Sequence, residues 1–176
     1  TVNATNITGF VATSSTSNSG TSNLTTSNSG GTIDVGNSTT GAYNLIGLAG
    51  SDTLKGNGNT DTINGGAGND TIDGRGGNDQ INAGDGNDTI IVSSAGQGNS
   101  DTVDGGTGSD TLQLSSGSHS FSNDASIQNI QTITLNASGT TVNLTGQTEG
   151  LTITGGAGGD IITAGSGNDI ITGAAG

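Results

Sequence analysis

Five consecutive nine-residue units, each opening with a Gly-rich hexapeptide that closes on Asp, constrain this chain more than any other feature. They are GLAGSDTLK at 47–55, GNGNTDTIN at 56–64, GGAGNDTID at 65–73, GRGGNDQIN at 74–82 and AGDGNDTII at 83–91. Asp52, Asp61, Asp70, Asp79 and Asp88 hold the sixth place, and Leu54, Ile63, Ile72, Ile81 and Ile90 the eighth. Units so short and so rich in Gly, Asn and Asp cannot continue a helix, whereas Thr-Ile-x triplets between turns read as three-residue strands. Repeats of fixed period stack on one another, so the expected fold is all-β, a parallel β-solenoid of nine-residue rungs. Two rungs make a coil, with equivalent strands about 4.8 Å apart. Leu54 should then stack on Ile72 and Ile90, and Ile63 on Ile81, in a core one aliphatic layer thick.

The aliphatic spacing outruns the acidic motif. Leu45 precedes Leu54 by one unit and Leu24 precedes Ile33 by one. After a four-residue insertion near 93–98 the series resumes as Val103, Leu112, Phe121 and Ile130, and after a second phase shift as Leu135, Leu144, Ile153, Ile162 and Ile171. A shift of 108 residues lays Asp160 on Asp52 and Asp169 on Asp61, and the chain stops where the next Asn-Asp would come. The expected organisation is a Ser/Thr/Asn-rich solenoid or connecting segment at 1–44, an acidic repeat block at 45–113, rungs without the acidic motif at 114–150, and a second, truncated repeat block at 151–176. This reads as a piece of a longer tandem array, and the fold of 1–23 is left open.

Composition narrows the chemistry. Fifteen acidic side chains stand against two basic ones, for a net charge of −13, and Cys, Pro, Met and Trp are absent. That field repels phosphate backbones and anionic lipid, so nucleic acid is no partner. No stretch approaches the roughly 20 apolar residues of a membrane span. With one His (His119) and one Glu (Glu149), and nothing that places them together, a catalytic pair is poorly supplied and no enzyme is expected. Three aromatic residues and 35 Gly would leave such a chain disordered unless stacking or a ligand offsets the entropy of ordering it.

The hexapeptide Gly65-Gly66-Ala67-Gly68-Asn69-Asp70 supplies that ligand chemistry. Glycine at alternating places permits backbone angles that turn carbonyl oxygens to one side, and the sixth-place Asp adds a carboxylate. Hard oxygen donors of this kind suit calcium, while the sulfur and nitrogen ligands favoured by zinc and copper are lacking. These residues resemble the RTX (repeats-in-toxin) calcium-binding proteins, whose nonapeptide is G-G-x-G-x-D-x-U-x. The resemblance covers 47–91 closely, 105–113 and 155–172 well, and the remainder only through core spacing. It implies a parallel β-roll in which calcium lies between turns of units i and i+2, held by backbone carbonyls and by the sixth-place Asp of both. Carried over, the best sites pair Asp52 with Asp70, Asp61 with Asp79 and Asp70 with Asp88. Pairings of Asp79 with Asp101 and Asp88 with Asp110 cross the insertion, and Asp160 and Asp169 have no following partner. The matching first-place glycines are Gly47, Gly56, Gly65, Gly74, Gly105 and Gly155. Leu48, Asn57, Arg75 and Ala83 depart from the pattern, and Arg75 should weaken its local site. Asp73, Asp85 and Asp104, off the register, read as surface charges.

Calcium-dependent folding of an exported acidic chain points to an extracellular or cell-surface structural protein of bacteria. Self-assembly with copies of itself, as a surface layer, sheath or filament, is the leading expectation. A spacer or binding repeat of a large adhesin is the alternative, and an accessory roll of an RTX toxin or enzyme stands third. Ile161 and Ile170, where other units carry Thr or Gln, read equally as a contact strip for a neighbouring chain or as scattered surface apolar residues.

Overall fold

The computed structural model describes residues 3–13, 16, 19–93, 101–121, 123–136 and 139–174. All but Ser93 of the expected insertion, and residues 175–176 of the terminal similarity, lie outside the described residues. Among the described residues there are nineteen strands and no helix. The chain opens with β1 (Asn3–Ile7), β2 (Gly9–Val11), β3 (Ser22–Thr26), β4 (Thr32–Asp34), β5 (Tyr43–Ile46) and β6 (Thr53–Lys55). The repeat block supplies β7 (Thr62–Ala67), β8 (Thr71–Asp73), β9 (Gln80–Asp85), β10 (Thr89–Val92), β11 (Thr102–Asp104) and β12 (Thr111–Leu114). Then come β13 (Ser118–Ser120), β14 (Ile127–Gln128), β15 (Thr132–Leu135), β16 (Thr141–Asn143), β17 (Thr152–Thr154), β18 (Ile161–Thr163) and β19 (Ile170–Thr172).

Every strand pairs in parallel with a strand of a neighbouring coil. The sheets are a seven-stranded one, β1-β3-β5-β7-β9-β11-β14, a nine-stranded one running β2-β4-β6-β8-β10-β12-β15-β17-β19, and a three-stranded one, β13-β16-β18. This is the parallel β-solenoid expected from the repeat. Within the segment whose fold the sequence left open, β1, β2 and the start of β3 belong to it.

In the repeat block the register is the one the 18-residue coil requires. Leu54 lies against Ile72, Ile72 against Ile90, and Ile63 against Ile81. Each is at most 2 % exposed. Full burial of such a side chain contributes about 1.5–3 kcal/mol, and only a stack supplies the neighbours that achieve it. Across the insertion the offset becomes 22 residues, and Ile81 faces Val103 while Ile90 faces Leu112.

Beyond β12 the nine-residue ruler gives the wrong partners. Val103 pairs with Ile127 rather than stacking on Phe121, and Leu112 pairs with Ile133 rather than with Ile130. The coil that joins β12 to β15 carries both β13 and β14 and does not return to the 18-residue length the ruler needs, so the phase is reset. The ruler still found buried residues as far as Ile153, while Ile162 is half-buried and Ile171 is 50 % exposed, and the four-residue strands have two inward places. Leu114 stacks on Leu135 beside the Leu112–Ile133 pair, and Val92 on Leu114. The core is therefore two side chains wide on these rungs, not a single layer. His119 takes an inward place in β13, paired with Val142, and is 1 % exposed.

Candidate metal centre

The acidic turns form two edges of the solenoid. Turns 47–52, 65–70, 83–88 and 105–110 lead into the nine-stranded sheet, turns 56–61 and 74–79 lead out of it, and Asp101 stands just before β11. Gly66 and Gly68, with φ of 106° and 128°, hold the left-handed conformations that let the 65–70 turn bend back over the strand. A side chain there would also strike the carbonyls of Leu48 and Gly50 one coil earlier.

The sixth-place aspartates make a hydrogen-bonded ladder along each edge. On the first, the Gly31 N–H donates to Asp52 Oδ1 at 2.6 Å, Asp52 N–H to Asp70 at 2.8 Å, Asp70 to Asp88 at 2.7 Å and Asp88 to Asp110 at 2.8 Å. On the second, Tyr43, Asp61 and Asp79 N–H groups donate to Asp61, Asp79 and Asp101, each at 2.8 Å. Asp160 and Asp169 bond back in the same sense, accepting from Thr140 N–H at 2.8 Å and Leu151 N–H at 3.0 Å.

The other carboxylate oxygen is different. Among the described residues, Oδ2 of Asp52, Asp70, Asp79, Asp88 and Asp110 is buried with no hydrogen-bond partner. Four first-place glycines face this oxygen: a Cβ on Gly65 would lie 2.5 Å from Asp70 Oδ2, one on Gly74 2.5 Å from Asp79 Oδ2, and one on Gly47 or Gly105 2.8 Å from Asp52 or Asp110 Oδ2. The same Cβ on Gly47, Gly65 or Gly105 would collide with a carbonyl of the next coil, that of Gly65, Ala83 or Asn129. A carboxylate oxygen and a carbonyl oxygen thus converge beside each of these glycines. Buried, unpaired and close to other oxygens, such a carboxylate is costly unless it is protonated or meets a cation. Burial pushes Asp79 up to about 8 and Asp61, Asp70 and Asp101 to about 6, and raises Asp88 and Asp110. Main-chain donors oppose the rise, and neighbouring carboxylates add to it at Asp70, Asp79 and Asp88.

The donor set fits calcium: hard oxygens alone, carboxylate mixed with carbonyl. Among the described residues no three His, Cys, Asp or Glu side chains gather at one point, so main-chain oxygens would complete any such shell.

Residues outside the motif shape the edges. Gln131 ends the first ladder, accepting from Asp110 N–H at 2.6 Å. Its Gln-Thr-Ile triplet parallels Asp70-Thr71-Ile72, a signal that a search restricted to Asp overlooks. Asp73 and Asp104 are more than surface charges, because each Oδ1 accepts the N–H two residues on, from Arg75 and Gly106, both at 3.0 Å. Asp85 accepts from Thr107 Oγ1 at 2.8 Å. The Arg75 guanidinium is paired with Asp34 at 3.1 Å, and lies against Gly36. His119 and Glu149 do not meet: His119 Nε2 bonds the Ser115 carbonyl at 2.9 Å, while a Glu149 carboxylate oxygen accepts from Thr148 N–H.

A family model described as the RTX calcium-binding nonapeptide repeat matches four times, over residues 39–72, 56–90, 95–118 and 152–176, more than half of the chain. No curated protein and no solved structure matches it. With the repeat, the all-parallel solenoid and the ladder of sixth-place aspartates in agreement, the chain belongs to the RTX calcium-binding nonapeptide repeat family.

Proposed function

We propose that this chain is a calcium-stabilised structural protein outside the bacterial cell, which associates with copies of itself into a surface layer, sheath or filament. RTX repeat proteins are typically secreted or extracellular, and calcium binding follows from the family. Within that reading, Asp52, Asp70, Asp79, Asp88, Asp101 and Asp110 hold calcium together with carbonyls at or near Gly47, Gly65, Gly74 and Gly105. Asp160 and Asp169 with Gly155 form the second block, at 151–176, and the rungs at 1–44 and 114–150 act as spacers. Bound calcium supplies the positive charge that the buried carboxylates lack. The chain's own part is to hold those oxygens in register, one coil apart.

The observation that carries self-association is a pair of outward isoleucines. Ile161 and Ile170 are 62 % and 64 % exposed. They continue the files of Thr141 and Thr152, so isoleucine replaces a polar outward residue on β18 and β19. Apolar side chains in such places favour burial against another chain. The regular ladder favours the second reading, a stiff adhesin spacer. Size and circular dichroism through a calcium titration, with magnesium as control and electron microscopy of the end point, separate the two. Sheets or filaments support the first, a compact monomer the second, and no response to calcium overturns both.

A further inference from the structure

One turn that matches the repeat in its Asp is built differently from the rest. In turn 56–61 both oxygens of Asp61 are occupied: Tyr43 N–H donates to Oδ1 and Asn57 N–H to Oδ2, each at 2.8 Å. The fourth place of the 47–52, 65–70, 74–79, 83–88 and 105–110 turns has positive φ, at Gly50, Gly68, Gly77, Gly86 and Gly108, and the second place does so in all of these but 47–52, where Leu48 stands. Asn57 and Asn59, which stand at those places here, are not among the residues with positive φ. Asn57 is instead fully buried, its Oδ1 accepting from Asn59 N–H at 2.8 Å and its Nδ2 donating to the Gly41 carbonyl at 3.1 Å. Asp73 and Asp104 draw the second-place N–H to themselves, whereas Ile46 and Lys55 in the corresponding places offer no side-chain acceptor, and of these two only the turn after Lys55 closes on its aspartate.

We propose that turn 56–61 is a cation-free lock, in which the Asn57 N–H does for Asp61 what a cation does for the open carboxylates, so that Asp61 is a structural acceptor and not a metal ligand. The inference rests on the calcium reading of the other turns. It assigns the fourth-place residue, a Gly of positive φ in the open turns and Asn59 here, as what decides whether a sixth-place carboxylate is available. A partial positive charge already directed at Oδ2 opposes the approach of a cation to the same oxygen. The lock also begins its edge, because Tyr43, the donor in the preceding coil, brings no carboxylate of its own.

Equilibrium dialysis of the full chain against calcium, with bound ions counted per chain and folding followed by circular dichroism, tests this. Asp61→Asn should leave the ion count unchanged, while Asp79→Asn lowers it by at least one. Because Asp61→Asn alters a buried group, a gain variant accompanies it: Lys55→Asp/Asn57→Gly/Asn59→Gly restores the open turn and should add one ion. Loss of an ion in Asp61→Asn with the fold retained, or no gain in the triple variant, overturns the lock while leaving the calcium reading intact. A wild-type chain that binds no calcium overturns both.

Discussion

The Asp70 main-chain N–H donates to Asp88 Oδ1 at 2.7 Å, while Asp88 Oδ2, in the same buried carboxylate, has no partner. One oxygen fixes the spacing of two coils, and the other is left to a proton or a cation. That division of labour sets the response to pH, calcium and substitution.

Acid should replace part of the calcium. Burial lifts the folded carboxyls above their ordinary value of 3.8, to about 6 for Asp61, Asp70 and Asp101 and about 8 for Asp79. Their contribution is fully present below about pH 4 and is lost as pH rises through 6 to 8. In a chelator the β signal should therefore persist near pH 5 and fall toward pH 8, and in calcium it should stay level across that range. His119 works the other way, because burial lowers its pKa, so its contribution is present above 6.5 and declines as the unfolded chain protonates below it. Circular dichroism of His119→Leu against wild type at pH 5 isolates that opposing share.

Two glycines in neighbouring turns should behave oppositely. Ala at Gly65 places a methyl 2.5 Å from Asp70 Oδ2 and against the Ala83 carbonyl, whereas a Cβ at Gly58 has nothing within 4 Å. Gly65→Ala should cost about 1–3 kcal/mol and lower calcium affinity, and Gly58→Ala should stay within about 0.5 kcal/mol. Thermal melts in calcium measure both.

Ile161→Thr/Ile170→Thr restores the outward residue type of the preceding coils. Calcium-induced folding should be unchanged, and association, followed by sedimentation velocity, should be lost. Assembly that survives the double change removes these residues from the interface.

Trypsin has two targets, Lys55 and Arg75, the only basic residues in the sequence. Lys55 lies within β6, paired between β4 and β8, and the Arg75 side chain is held by Asp34. In calcium both bonds should resist cleavage. After chelation at pH 8 the chain should fall into three fragments on a gel.

Much of this architecture was legible in the order of residues. Leu54, Ile72 and Ile90 recur at the coil length, and stacking at that length buries all three. The partners of Val103 and Leu112 were not legible, because the coil carrying β13 and β14 departs from the 18-residue length without disturbing the local alternation of apolar residues. The Asp61 turn was hidden for a different reason. Its aspartate is in phase, and what separates it from Asp79 is the direction of one main-chain N–H, in a turn where neither Asn57 nor Asn59 takes the positive φ of the glycine-bearing turns. Gln131 escaped because an amide oxygen does a carboxylate's work there.

The parallel ladders have a mechanical consequence. Strands lie across the long axis of the solenoid, so the bonds between coils point along it and carry an axial load in series. Pulled from its ends, such a rod yields coil by coil instead of snapping at once, each coil paying out about 60 Å of chain in place of about 5 Å of rod. The force at which a coil lets go would be set turn by turn by its ion, giving a tether whose compliance follows the calcium around it.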